Sequence, residues 1–147
     1  MKEYSFIIND LGDWEALARR LVLEVKSGMI LALSGPLGAG KTTFVQALAK
    51  ELGVKEMPVS PTFSLVRTYK TKHLTLKKLV HVDAYRLDRA EDVRTLGLEE
   101  LLEEEGMIMC LEWPEQVEAW LNRYEGRTVR VRIGQKDAVR EVIIRHP

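Results

Sequence analysis

A chain of 147 residues, 46% apolar and 30% charged, is long enough to bury a core and reads as one soluble, globular domain. Lys plus Arg and Asp plus Glu number 22 each, so the formal net charge is zero and bulk electrostatics gives no support for nucleic-acid binding; only a local basic patch stays open. The single cysteine, Cys110, excludes an internal disulfide and a cysteine metal site. No apolar run approaches the roughly 18 residues of a membrane span, and the N-terminus lacks a signal-peptide core, so the expected location is the cytoplasm.

In chain order, Tyr4 to Ile8 predicts a short strand. Asp13 is placed to N-cap a helix over about Trp14 to Lys26, with Trp14, Leu17, Leu21 and Val25 on one face and Gly28 as its stop. Met29 to Ser34 is apolar throughout, as a strand buried on both faces would be. A Gly-rich segment follows, then a helix closed by Gly53. Residues 54–64 carry Pro58 and Pro61 and predict a loop. The stretches SLVRTYK and HLTLKK read as strands of a hairpin or meander, and Leu79 to Asp83 as another apolar strand. A helix is expected over 91–105, its acids on the solvated face. Met107 to Glu112 reads as a third buried strand, in which Cys110 is a small hydrophobe, and a short helix begins near Val117. TVRVRI and VREVIIR alternate with period two around Gly134 to Asp137 and predict a terminal antiparallel hairpin with one wet face. Three buried strands alternating with helices imply an α/β fold with a mainly parallel central sheet and antiparallel extensions.

The chemistry is concentrated in Gly35-Pro36-Leu37-Gly38-Ala39-Gly40-Lys41-Thr42, which satisfies G-x-x-x-x-G-K-[ST] between an apolar strand and a helix. Glycines let the backbone curl so that successive N–H groups face inward around phosphate oxygens. The helix N-terminus adds unpaired donors and partial positive charge. In such a loop Gly35, Gly38, Ala39 and Gly40 form the cradle, Lys41 meets the β- and γ-phosphates, and Thr42 ligates Mg²⁺. The pattern predicts a nucleoside triphosphate site in a P-loop NTPase fold.

Two apolar strands end on acids, at Asp83 and Glu112, and ligands in open parallel sheets sit beyond the carboxyl ends of the strands. Both acids can therefore reach the phosphate site. Trp113, next to Glu112, either walls the site mouth or lids the core. The loop SPTF offers a hydroxyl, Thr62 or Ser60, that could sense the γ-phosphate as a switch, or is an ordinary turn.

GPLGAGKTTF, SPTFSLV, HVDAYRL and LEWPE, in this order, resemble the bacterial TsaE family, the P-loop ATPases of tRNA threonylcarbamoyladenosine biosynthesis. The resemblance covers residues 4–115 well and the terminal hairpin by pattern. It implies a small Mg²⁺-dependent ATPase, slow alone, that works on the TsaB and TsaD proteins as they transfer a threonylcarbamoyl group to tRNA; whether it touches tRNA directly is left open. By the same resemblance Thr43 lies beside the phosphates, Glu112 is the magnesium-side acid, Asp83 the catalytic or water-positioning acid, and Thr62 the switch residue. Tyr85 and Arg86 fall on the motif as either packing or partner contacts. Pro36 stands where the family often has Asp, and it has no N–H to offer a phosphate. A small-molecule kinase and a nucleotide-gated binding module without significant hydrolysis are the competing readings; the first lacks an insertion for a lid, and the second leaves the two acids unexplained.

Overall fold

A computed structural model describes residues 2–36, 38–58, 66–85, 87 and 90–147. It holds one seven-stranded sheet in the order β1-β7-β6-β2-β5-β4-β3, built from β1 (Glu3–Ile8), β2 (Ile30–Ser34), β3 (Val66–Lys70), β4 (Lys78–Asp83), β5 (Met107–Glu112), β6 (Thr128–Lys136) and β7 (Val139–Arg145). The centre is parallel: β4 pairs β5, β5 pairs β2 and β2 pairs β6. The pairs β3–β4, β6–β7 and β1–β7 are antiparallel. This is the α/β sheet with antiparallel extensions that the apolar runs and alternating segments predict.

Helices cover both faces. On one side lie α1 (Leu11–Glu24) and α2 (Lys41–Leu52), burying Leu17, Leu21, Phe44 and Leu48 against Leu31, Leu33, Ile108 and Cys110 of the sheet. On the other side lie α3 (Ala90–Thr95), α4 (Leu98–Leu102) and α5 (Glu118–Leu121), with Leu98, Leu102, Trp120 and Leu121 packed against Ile30, Ala32, Met109 and Leu111. Successive residues of β2 and β5 therefore feed opposite cores, which is why these strands read as continuous apolar runs. Each fully buried Leu or Ile contributes roughly 1.5–3 kcal/mol. Cys110 is fully buried, and that burial pushes its thiol well above the ordinary range, in keeping with a small core hydrophobe. None of the described helices is long and apolar enough to cross a membrane.

Several local expectations shift. Helix α1 starts at Leu11 with Asp10, not Asp13, as its N-cap. The Asp10 side chain accepts the Asp13 N–H at 3.1 Å, and Asp13 in turn accepts the Asn9 N–H at 2.8 Å. Asp10 thus caps the Asp13 N–H while Asp13 reaches back to Asn9, and spacing alone does not say which acid leads. Val25 is already extended, so the helix ends before Lys26. The stretch 91–105 is two helices, because Gly97 takes the left-handed conformation (φ 71°) between α3 and α4.

HLTLKK is mostly connection, and the antiparallel partner of β3 is β4 itself. The Thr71 hydroxyl donates to Leu76 O at 2.5 Å, and His73 Nδ1 accepts the Leu76 N–H at 3.1 Å. These side-chain bonds hold residues 71–77 out of the ladder. In the terminal hairpin, Gly134 to Lys136 belong to β6 rather than to the turn. Asp137, at φ 57°, makes the short reversal. The inner strand of this hairpin, β6, also pairs in parallel with β2, so the terminal segment completes the centre of the sheet.

Candidate nucleotide site

The site forms where β2, β4 and β5 end together. Register sets Asp83 opposite Glu112, and the Ala84 N–H donates to Glu112 O at 3.0 Å, so the two acid-bearing strand ends are tied to each other. Beyond Ser34 the chain turns through the Gly-rich segment into α2. A cavity of about 390 Å³ opens there, lined by Gly38, Gly40, Lys41, Thr42 and Thr43 from one side and by Asp83, Tyr85, Glu112 and Trp113 from the other. Gly38 and Gly40 of the predicted cradle, both acids and the indole thus share one cavity. Gly35 and Ala39 belong to the loop but do not line it; Ala39 is buried, and its N–H donates to Pro36 O at 3.1 Å. The Pro36 carbonyl, which proline retains, thus closes the first turn of the loop. Thr62, Ser60 and Arg86 lie outside the described residues.

Lys41 is 5% exposed at the first position of α2. Its Nζ donates to Gly35 O at 2.6 Å and lies 3.4 Å from the centre of the Trp113 ring. Burial pulls its pKa below the ordinary lysine value, and the charges of Glu112, Glu115 and Asp83 offset only part of this. Trp113 reaches this position because its own backbone is left-handed (φ 61°), an uncommon conformation for a bulky residue. That turn swings the chain off β5 into the 3₁₀ turn Pro114–Val117, with Pro114 filling its first position. The indole also meets the Tyr85 ring at a 58° tilt, 5.0 Å between centroids, and packs against the second core, so it is both a wall of the cavity and a partial lid on the core.

The two acids differ. Asp83 is half-buried, and its Oδ1 accepts the Tyr85 N–H at 3.0 Å. Glu112 is 3% exposed, and its Oε2 lies 2.5 Å from Nε2 of the fully buried His81. Oxygen donors from Thr42, Asp83 and Glu112 suit a hard cation such as Mg²⁺. Among the described residues no group of three or more His, Cys, Asp or Glu side chains forms a cage of its own.

Two supports of the loop were not foreseen from sequence. Arg140 on β7 donates its Nε to Ala39 O and an Nη to Gly38 O, the latter at 2.8 Å, clamping the loop from 101 residues away. Trp14 on α1 lies beneath Gly40. A Cβ at that position would fall 2.6 Å from the indole, and Gly40 has φ 114°. Gly40→Ala is therefore expected to cost about 1–3 kcal/mol of stability. A thermal or denaturant melt checks this, and an unchanged midpoint would show that the loop has room the geometry denies it. Thr43 joins the main cavity to a second one of about 240 Å³, lined also by Asn9, Leu11, Trp14, Ala138 and Arg140.

The family model described as threonylcarbamoyl adenosine biosynthesis protein TsaE matches residues 8–142. The TsaE protein of Treponema pallidum is 37% identical over 144 residues, covering 98% of this chain and 99% of its own length. The TsaE protein of Rickettsia felis is 39% identical over 110 residues, which are 74% of this chain but only 61% of that longer protein. The crystal structure of YdiB from Bacillus subtilis superposes with a TM-score of 0.76 at 27% identity, covering 97% of this chain and 84% of that one. The motif order, the sheet and these likenesses lead to one conclusion: the chain belongs to the TsaE family of tRNA threonylcarbamoyladenosine biosynthesis proteins.

Proposed function

We propose that the chain binds ATP with Mg²⁺ in the 390 Å³ cavity, hydrolyses it slowly, and uses that cycle to support the TsaB and TsaD proteins in threonylcarbamoyl transfer to tRNA. The observation that carries the reading is the meeting of Lys41, Thr42, Asp83 and Glu112 in one cavity at the carboxyl ends of β2, β4 and β5. Lys41 is desolvated and has one carbonyl and an indole face for partners, so a triphosphate would give its ammonium charge-assisted bonds it now lacks. The N-terminus of α2 adds donors and partial positive charge beside it. The adenosine end fits the adjoining cavity between Asn9, Trp14 and Ala138, with Thr43 at the junction.

Mg²⁺, when bound, would supply positive charge to offset the negative charge that develops on the phosphates. Thr42 and Glu112 are the residues that would hold it. Asp83, less buried than Glu112 and lining the same cavity as Lys41, orients the attacking water and accepts its proton. Arg140 keeps the loop in shape by fixing two of its carbonyls. Arg140→Leu is expected to weaken binding of a non-hydrolysable ATP analogue about tenfold, as loss of charge-assisted bonds predicts. Calorimetric titration checks this, and an affinity within twofold of wild type would remove the clamp from the account.

The reading as a whole is tested by titrating ATP into the full chain with Mg²⁺ and following phosphate release. Binding with slow, Mg²⁺-dependent release is expected. No binding would overturn the reading, and phosphate transfer to a small metabolite instead of water would favour a kinase.

A further inference from the structure

His81 lies in the HVDAYRL segment, yet it does not line the cavity, and none of the roles above uses it. It sits on β4 facing the α1 and α2 side, fully buried, next to Cys110 by register. Its Nε2 is 2.5 Å from Oε2 of Glu112, two residues further along the neighbouring strand, whereas its Nδ1 has no hydrogen-bond partner among the described residues. A neutral imidazole carries one N–H. A proton on Nδ1 would be a buried donor with no acceptor, while a proton on Nε2 meets a carboxylate oxygen at bonding distance. The inexpensive arrangement is therefore an Nε2–H donated to Glu112, with Nδ1 bare.

We infer that His81 is a positioning residue for Glu112. Its Nε2–H holds Oε2 from the core side and so fixes the carboxylate, leaving Oε1 to serve the cavity. A carboxylate 3% exposed has almost no water to orient it, so without His81 it would lose both its partner and its set direction. The inference deepens the magnesium role given to Glu112 above and rests on it. A purely structural pair would affect folding alone, whereas a positioning pair affects how much Mg²⁺ improves nucleotide binding.

Two readouts separate these outcomes. In the intact chain, imidazole ¹H–¹⁵N correlation spectra should show His81 as the Nε2–H tautomer; an Nδ1–H tautomer would overturn the inference whatever the variants do. In calorimetry with a non-hydrolysable ATP analogue, titrated with Mg²⁺ and with EDTA, His81→Leu should lose about tenfold of the gain that Mg²⁺ gives, with affinity in EDTA within about twofold of wild type. His81→Gln, whose amide N–H sits as many bonds from Cα as the imidazole Nε2, should recover most of that gain. A folded His81→Leu with the full Mg²⁺ gain would overturn the inference, as would His81→Gln behaving no better than His81→Leu. Should His81→Leu not fold, His81→Gln decides alone, a near-full Mg²⁺ gain supporting the inference and its loss overturning it. If Mg²⁺ improves binding in neither wild type nor variants, the magnesium reading fails on its own, and the His81 tautomer then decides whether the pair holds Glu112.

Discussion

Lys41→Ala is expected to lower affinity for a non-hydrolysable ATP analogue at least about a hundredfold, which amounts to loss of binding in an ordinary titration. Charge-assisted hydrogen bonds contribute about 1.5–3 kcal/mol each, and Lys41 is placed to give more than one to a triphosphate. No other described lysine or arginine side chain lines the cavity. The substitution also frees Gly35 O of its donor and the Trp113 ring of its cation, so a modest loss of stability should accompany the loss of binding. Calorimetry and a melt on the same sample separate the two effects. Unchanged affinity would show that the loop is not the triphosphate site.

Asp83→Ala should behave differently, with turnover falling about a hundredfold or more while the analogue still binds near the wild-type level. A positioned general base typically contributes 10²–10⁴ in rate, and Asp83, half-buried and held by the Tyr85 N–H, can change partner without exposing a buried charge. The contrast with Glu112 is informative. Removing Glu112 would strip a site oxygen and also leave the buried His81 without its partner, so binding, turnover and stability should fall together. Single-turnover phosphate release and a parallel titration check the Asp83 assignment. Full turnover in Asp83→Ala, alone and with partner proteins, would assign the acid–base work elsewhere.

These assignments also show what could be read from the chain. Ile108 to Leu111 are apolar because they feed two cores from one strand, and the run stops on Glu112 because the strand there reaches the cavity edge. That much follows from hydropathy and the parallel-sheet rule. The sequence offers no sign that Glu112 is itself buried and held by a histidine. The pairing depends on the register of β4 against β5, and the two residues are 31 apart. Arg140 escaped for the same reason, since only the pairing of β7 with β6, and of β6 with β2, brings it to the loop.

Errors in the elements have local causes. Asp10 and Asp13 are equivalent caps by composition; Asp10 accepts the Asp13 N–H while Asp13 accepts that of Asn9, which places Asp10 at the start of α1. HLTLKK alternates like a strand, but Thr71 and His73 bond to their own backbone and keep it a loop. Trp113 had two readings, site wall and core lid. One left-handed residue lets the same indole touch Lys41 on one side and the core on the other.

Partner-dependent ATP hydrolysis is decided by phosphate release from ATP by the full chain, measured with Mg²⁺, alone and with TsaB and TsaD added together. Slow release alone, a clear rise with both partners, and no release from Lys41→Ala under either condition are expected. An unchanged rate on adding the partners, or a rise that survives in Lys41→Ala, would contradict the proposed function.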